Sequence, residues 1–146
     1  MIDALKFVAV VTASLFAGAA LYINVAEHPA RMLMDTRFAV LQWAPSYKRA
    51  TWLQAPLAVV SFLAGAAVWL VSGGLAWLMA AILIGAVVPF TFIGIMPTNR
   101  RLLSPSLDIG SDEARELLMR WSYLHGVRTL LSLCAAGLYA WLIVRT

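Results

Sequence analysis

Charge is what this sequence has least of. Lys, Arg, Asp and Glu make up 12% of its 146 residues, against 62% hydrophobic ones. A soluble globular domain carries about 25% charged and about 45–50% apolar residues. A water-soluble fold of this length has more surface than so few charges can cover, so the surplus apolar surface needs lipid. Cysteine is nearly absent as well. Cys134 is the single one, which excludes an intrachain disulfide, and its place deep in an apolar run reads as a buried, inert thiol. There is no phosphate-cradling glycine loop, Cys-x-x-Cys pair, His-Glu-x-x-His or serine elbow, so the common soluble-enzyme signatures supply no reaction.

What is present is a set of long apolar runs. A hydrocarbon core about 30 Å thick needs about 20 apolar residues in helical form, and four stretches meet that length, at about 5–27, 51–71, 75–96 and 119–144. The fold class is therefore all-α, an integral membrane four-helix bundle, with one four-span domain over residues 1–146. The first stretch mimics a secretory signal at Ala17-Gly18-Ala19. Its head is not net basic, however, and the apolar run continues through Leu21-Tyr22-Ile23, so a retained helix is expected. Pro56 falls in the first turn of the second span, where no intrahelical donor is lost. Ser72-Gly73-Gly74 makes a short turn into the third span, which should kink near Pro89 and end at Pro97. Ser111 is placed to cap the fourth helix, with Asp112, Glu113 and Glu116 at the positive end of its dipole. Trp121 and Trp141, with Tyr123 and Tyr139, suggest interfacial aromatic belts at both ends of that span. Ser14-x-x-x-Gly18 and Ser61-x-x-x-Gly65 would let backbones approach closely. Between spans one and two, Leu33, Met34, Phe38 and Leu41 recur at helical spacing, which predicts an amphipathic helix lying at the interface.

A net charge of +4 and a pI near 9.7 do not point to nucleic acid. The basic residues cluster between apolar runs and form no exposed basic face. Arg31, Arg37, Lys48, Arg49, Arg100, Arg101, Arg115 and Arg120 share one side of the membrane, and Lys6 and Arg145 the other. The positive-inside rule then puts the two long loops in the cytoplasm and both termini outside, in a bacterial inner membrane.

An ionisable side chain in hydrocarbon costs about 2.5–3.5 kcal/mol on insertion scales, so each one asks for a function. Asn24, Glu27 and His28 close span one on a single helical face, Gln54 opens span two, and Asn99 and Arg100 follow span three. Trp121, His125 and Arg128 share one face at the start of span four, at i, i+4 and i+7. Connectivity brings all of these to one leaflet, while the opposite leaflet holds little beyond Thr12, Ser14 and Ser132. Each has a plainer reading alone: Glu27 and His28 as helix caps, Asn99 as a turn residue, His125 as a bundle histidine, Arg128 as an ion-pair partner of Glu27. Together they suggest a polar pocket for a small molecule. No metal site is predicted, and a haem or metal held by His28 and His125 is a weaker alternative, since the two histidines lack spaced carboxylates.

Four segments carry a family resemblance. Leu21-Tyr22-Ile23-Asn24-Val25-Ala26-Glu27-His28-Pro29-Ala30-Arg31 closes the first span, and Trp43-Ala44-Pro45-Ser46-Tyr47-Lys48-Arg49 precedes the second. Pro97-Thr98-Asn99-Arg100-Arg101-Leu102 ends the third, and Trp121-Ser122-Tyr123-Leu124-His125-Gly126-Val127-Arg128 opens the fourth. In that order the chain resembles the anthrone oxygenase family over nearly its whole length. The resemblance implies a four-helix membrane protein, some of whose fungal members oxidise anthrones to anthraquinones with dioxygen and no known cofactor. The expected function is thus a cofactor-independent oxygenase acting on a lipophilic anthrone- or phenol-like substrate. In it His125 or Glu27 would remove an acidic C–H proton, and Arg128 and Asn99 would stabilise the oxyanion. Asn24, His28, Trp121, Gln54 and Arg100 would bind substrate. A haem-binding redox protein and a non-catalytic membrane partner are the alternatives, and association with further copies of the chain is left open.

Overall fold

The structure, a computed structural model, describes residues 1–145. It is all-helical, with no strand among the described residues. Four helices are long and apolar enough to cross a membrane: α1 (Ile2–Arg31), α2 (Thr36–Ser72), α3 (Leu75–Leu102) and α4 (Asp112–Val144). With this composition they make the chain an integral membrane protein.

The helices outrun the expected spans, and the excess lies at one end. α2 has 37 residues, about 55 Å at 1.5 Å per residue. That exceeds the hydrocarbon thickness by many ångströms. The segment expected to form a separate interfacial helix is instead divided. Its first part is the end of α1 and a tight connection, and from Thr36 it is the opening of α2, N-capped by the Asp35 carboxylate, which accepts from the Arg37 N–H at 3.0 Å. The alternation read there as a membrane-facing side is real, since Leu33, Phe38 and Leu41 are exposed while Ala39, Val40 and Trp43 are buried. Pro56 is consequently 20 positions into a helix and not in its first turn; α2 contains both Pro45 and Pro56 in its interior.

Proline chemistry explains the breaks in α1 and α3. A proline lacks an N–H, and its ring crowds the carbonyl four residues back. Near Pro89 the helix tightens at Ala86, between segments Leu75–Gly85 and Val87–Phe90, next to the Gly85 carbonyl that Pro89 leaves unpaired. Pro97 does not end α3, which continues to Leu102. Instead the turn before it widens into a π-helical segment, Thr91–Ile95. α1 repeats the device: a π-helical segment Ile23–Glu27 precedes His28-Pro29. In both helices the five widened residues end two positions before a proline and contain the crowded carbonyl, that of Val25 or Ile93. The wider turn relieves the clash without ending the helix, and such bulges are frequent at functional sites.

The turn and cap expectations match. Gly73 closes α2 in the left-handed conformation, with φ 73°, a geometry glycine adopts without a Cβ penalty. Ser111 Oγ accepts the Ala114 N–H at 3.2 Å. A bidentate Arg101–Glu113 pair, at 2.6 and 2.9 Å, straps the exposed connection between α3 and α4.

The bundle interior falls into two halves. One is apolar: Ala9, Ala13, Phe16, Ala58, Val68 and Ile84 pack there with Trp77 and Tyr139. Tyr139 is thus a core residue and not part of a belt, and Trp121 is likewise buried, while Tyr123 and Trp141 are exposed. The Ser61–Gly65 pair packs as expected. Ser61 Oγ donates to the Ala9 carbonyl at 2.9 Å, and Gly65 sits against Tyr139, whose hydroxyl donates to the Ser61 carbonyl at 3.3 Å. Ser14 and Gly18 are exposed and bring no helices of this chain together. Cys134 is also exposed, on the outer face of α4, contrary to the buried thiol expected. Leu133 beside it is exposed as well, while Ala135 is buried in the core.

A Cβ at Gly65 would overlap the Tyr139 hydroxyl and lie 2.7 Å from its Cζ. Gly65→Ala should therefore lower the thermal stability of the detergent-solubilised protein, by about 1–3 kcal/mol. Tyr139→Phe in the same chain should restore part of that loss.

Candidate active site

The other half of the interior is polar and aromatic. Asn24, Glu27, His28 and Arg31 come from the end of α1; Gln42, Trp43, Ser46 and Gln54 from the first half of α2; Asn99 from the end of α3; and Trp121, His125, Arg128 and Thr129 from the start of α4. His28, Arg31, Gln54, Asn99, His125, Arg128 and Thr129 are buried. The one-sided distribution read from the sequence is therefore an inward-facing cluster.

Two hydrogen-bonded groups compose it. In the first, the Asn24 side chain joins α1 to α4. Its Nδ2 donates to the Ser122 carbonyl at 3.2 Å, so its Oδ1 is the atom turned to His125 Nδ1, at 2.8 Å, and to Thr129 Oγ1, at 2.6 Å. An amide oxygen only accepts. His125 Nδ1 must therefore carry a proton, and in the neutral ring Nε2 presents a lone pair that no protein group among the described residues engages. In the second group, Arg31 is 2% exposed and spends its guanidinium on Glu27, Gln42, Ser46 and His28 Nδ1, the last at 3.1 Å. Ser46 Oγ also donates to Glu27 Oε1.

Trp121 links the two groups. Its indole lies 5.5 Å from the His28 ring and 4.8 Å from the His125 ring, centroid to centroid, and Trp43 meets it edge-on at 5.9 Å. Ile95 and Leu102 of α3 pack in this same cluster. Asn99 falls on their face of the helix, at i+4 from one and i−3 from the other.

Arg128 stands apart from both. Its Nη2 donates to Gln54 Oε1 at 2.9 Å, and its guanidinium carbon lies 5.5 Å from the Phe16 ring centre. The ion pair with Glu27, the plainer reading of Arg128 taken alone, is not formed, because Glu27 is taken by Arg31. No carboxylate pairs with Arg128 among the described residues, so a buried cation is left with a neutral partner. A cavity of about 110 Å³ opens beside it, walled by Phe16, Tyr47, Thr91, Phe92 and Met96.

Several buried polar atoms have no protein partner: His28 Nε2, Trp43 Nε1, Trp121 Nε1, Arg128 Nε and both polar atoms of the Asn99 amide. Buried groups of this kind are nearly always satisfied, so this cluster has hydrogen-bonding capacity kept for a ligand or water. Most of it is N–H donor capacity.

Of the residues expected to form a site, His125 and Asn24 touch directly, as do Arg128 and Gln54; His28, Trp121 and His125 are in ring contact. Glu27 and His125 do not touch, and Arg100 is exposed outside the cluster. The sequence reading missed Arg31, Trp43 and Thr129. Arg31 lies at i+4 from Glu27, which finds it once the first helix is extended far enough, and Thr129 lies at i+4 from His125 within the span already read. As for a metal, no group of three or more His, Cys, Asp or Glu side chains stands together among the described residues. The Nδ1 atoms of the two histidines are occupied by Arg31 and Asn24.

Fold and site thus define a four-helix integral membrane protein with a buried polar cluster confined to one end of the bundle. Sequence comparison gives its family. The profile of the anthrone oxygenases, described as Anthrone oxygenase, matches residues 43–138, and the chain belongs to that family. An anthrone oxygenase of Pestalotiopsis fici is 32% identical over 70% of this chain and 85% of its own. One from Aspergillus fumigatus is 37% identical over 44% of this chain, and one from Claviceps purpurea is 31% identical over 43%. The match spans less than half the length of these last two, 42% and 41%. No solved structure matches the chain.

If Gln54 is the acceptor that holds Arg128, Gln54→Leu strands a buried cation. Thermal unfolding in detergent should show a loss of about 1–3 kcal/mol or more, and Arg128→Leu in the same chain should recover part of it.

Proposed function

We propose that the protein is a cofactor-independent oxygenase that oxidises a lipophilic anthrone- or phenol-like aromatic in the polar half of the bundle. The observation carrying this reading is the hydrogen bond between Asn24 Oδ1 and His125 Nδ1. It fixes the proton of the neutral His125 imidazole on Nδ1 and leaves the Nε2 lone pair free inside a buried site, as a general base requires. Membership of the family supports the reaction class.

With an anthrone, the chemistry runs as follows. His125 Nε2 takes a proton from the CH2 beside the aromatic rings, giving an enolate whose charge rests on the ketone oxygen. The unpartnered N–H groups and the Arg128 cation stabilise that oxyanion in a site shielded from water, where such contacts are strongest. The electron-rich carbon transfers electrons to dioxygen and forms a C–O bond to it. The peroxide anion takes the proton back from His125, and the resulting hydroperoxide loses its remaining C–H proton as the O–O bond breaks, the hydroxide leaving with that proton as water. The carbon passes from CH2 to carbonyl, losing four electrons to dioxygen, of which one atom stays in the quinone and the other leaves as water. Arg128, with no carboxylate beside it, carries the electrostatic part of this scheme. The lipophilic substrate enters laterally from the bilayer. The long connections and the polar end of the bundle face the cytoplasm, as the arginine distribution indicates.

Two variants test the assignment. His125→Ala should reduce oxygen-dependent turnover of an anthrone by about 10²–10⁴-fold over the spontaneous rate, the range general-base catalysis supplies. Unchanged turnover would remove His125 from the mechanism. Gln54→Glu gives Arg128 a carboxylate, which should preserve stability yet lower turnover at least about tenfold, because the neutralised cation no longer serves the oxyanion.

A further inference from the structure

The two histidines are the only ones in the chain, and their partners differ in kind. His125 Nδ1 faces an acceptor, the Asn24 amide oxygen at 2.8 Å. His28 Nδ1 faces a donor, Arg31 Nη1 at 3.1 Å. A guanidinium has N–H groups and no acceptor, so Nδ1 of His28 must accept, and the neutral ring carries its proton on Nε2. That Nε2–H is buried and has no protein partner. His28 is 4% exposed and forms part of the wall of a groove with Met32, Met119, Ser122 and Tyr123.

Arg31 is held in turn. Glu27 Oε1 accepts from Arg31 Nη2 and from Ser46 Oγ, and Gln42 Oε1 accepts from Arg31 Nε. With its nitrogens engaged on both α1 and α2, the guanidinium has little freedom to turn away from His28. Glu27 therefore acts on the charge and orientation of Arg31 and is not itself directed at His125.

We infer that Arg31, anchored by Glu27, is the positioning residue that fixes His28 as a hydrogen-bond donor of opposite tautomer to His125, and that the His28 Nε2–H binds the oxygen substituent of the substrate on which negative charge develops. The second half rests on the oxygenase reading; the first half stands without it. One helix end thus supplies a donor for the oxygen and the facing helix supplies the base for the carbon, with Trp121 against both rings. No proton passes through Arg31, whose role is to keep the His28 proton on Nε2.

Having two histidines makes this directly measurable. The full chain, labelled with 15N-histidine and purified in detergent, should give one ring protonated at Nε2 and one protonated at Nδ1. Asn24→Ala should alter the Nδ1-protonated ring alone. Arg31→Met should shift the other ring towards a mixture of tautomers, and Arg31→Lys, which keeps a donor and the pairing with Glu27, should preserve it if the Met variant does not fold. Two rings of the same tautomer, or a His28 signal indifferent to Arg31→Met, would overturn the positioning role. Glu27→Gln keeps an acceptor for Arg31, so it should retain the His28 tautomer and cost only several-fold in turnover. A loss of about 10²-fold or more with the tautomer retained would instead make Glu27 the base. Addition of a phenolic anthrone should move the His28 Nε2–H resonance. Opposite tautomers with no such movement would remove the substrate contact, and opposite tautomers in a protein without oxygen-dependent turnover would refute the oxygenase reading alone.

Discussion

The side-chain amide of Asn24 holds the end of α1 against the start of α4, and the polar half of the bundle is arranged around that contact. Its nitrogen donates to the Ser122 carbonyl and its oxygen accepts from His125 and Thr129, so the amide can be turned only one way round. In a bilayer this matters more than it would at a water-exposed surface, because a buried polar group that loses its partner has no water to replace it. The π-helical widening of α1 is part of the same arrangement. It absorbs the crowding imposed by Pro29 while letting the helix run on to Arg31, so that Asn24, His28 and Arg31 all reach the interior.

The apolar half of the molecule serves a different purpose. Its contacts are small-residue approaches, such as Gly65 against Tyr139, and interhelical hydrogen bonds, such as Ser61 to Ala9. Lipid tails are as apolar as the helix surfaces, so close packing and such bonds provide the association that the hydrophobic effect supplies in water. That half fixes the helix positions, and the polar half uses them. Burying Arg128 against neutral Gln54 is costly for folding, which is the expected sign of a charge retained for chemistry.

Much of this was legible in the residues. Hydropathy gave four spans because the bilayer fixes their length, and the crowding of Asn24, His28, Gln54, Asn99, His125 and Arg128 at one end followed from connectivity alone. What the sequence concealed was how far the helices continue past the apolar runs. Pro56 and Pro97 read locally as a helix start and a helix stop, yet each lies within a helix here, because widened turns and tertiary packing outweigh the local penalty. That error placed Arg31 and Trp43 in a separate interfacial helix between the spans and left Glu27 free to be the plainer ion-pair partner of Arg128. Trp121 and Tyr139 were read as belt residues because the depth of an aromatic along a helix is visible in sequence and the face it occupies against three neighbours is not.

On the reading we propose, residues of this chain carry out oxygen insertion on a lipophilic aromatic. The most direct measurement is the fate of labelled dioxygen when the detergent-purified, chelator-treated protein meets an anthrone under 18O2, with a protein-free control. Enzyme-dependent quinone carrying one 18O atom is expected, formed with one dioxygen consumed per product and the second labelled atom in water. Quinone formation no faster than the control, or labelled product only after adding back a metal or haem, would contradict it.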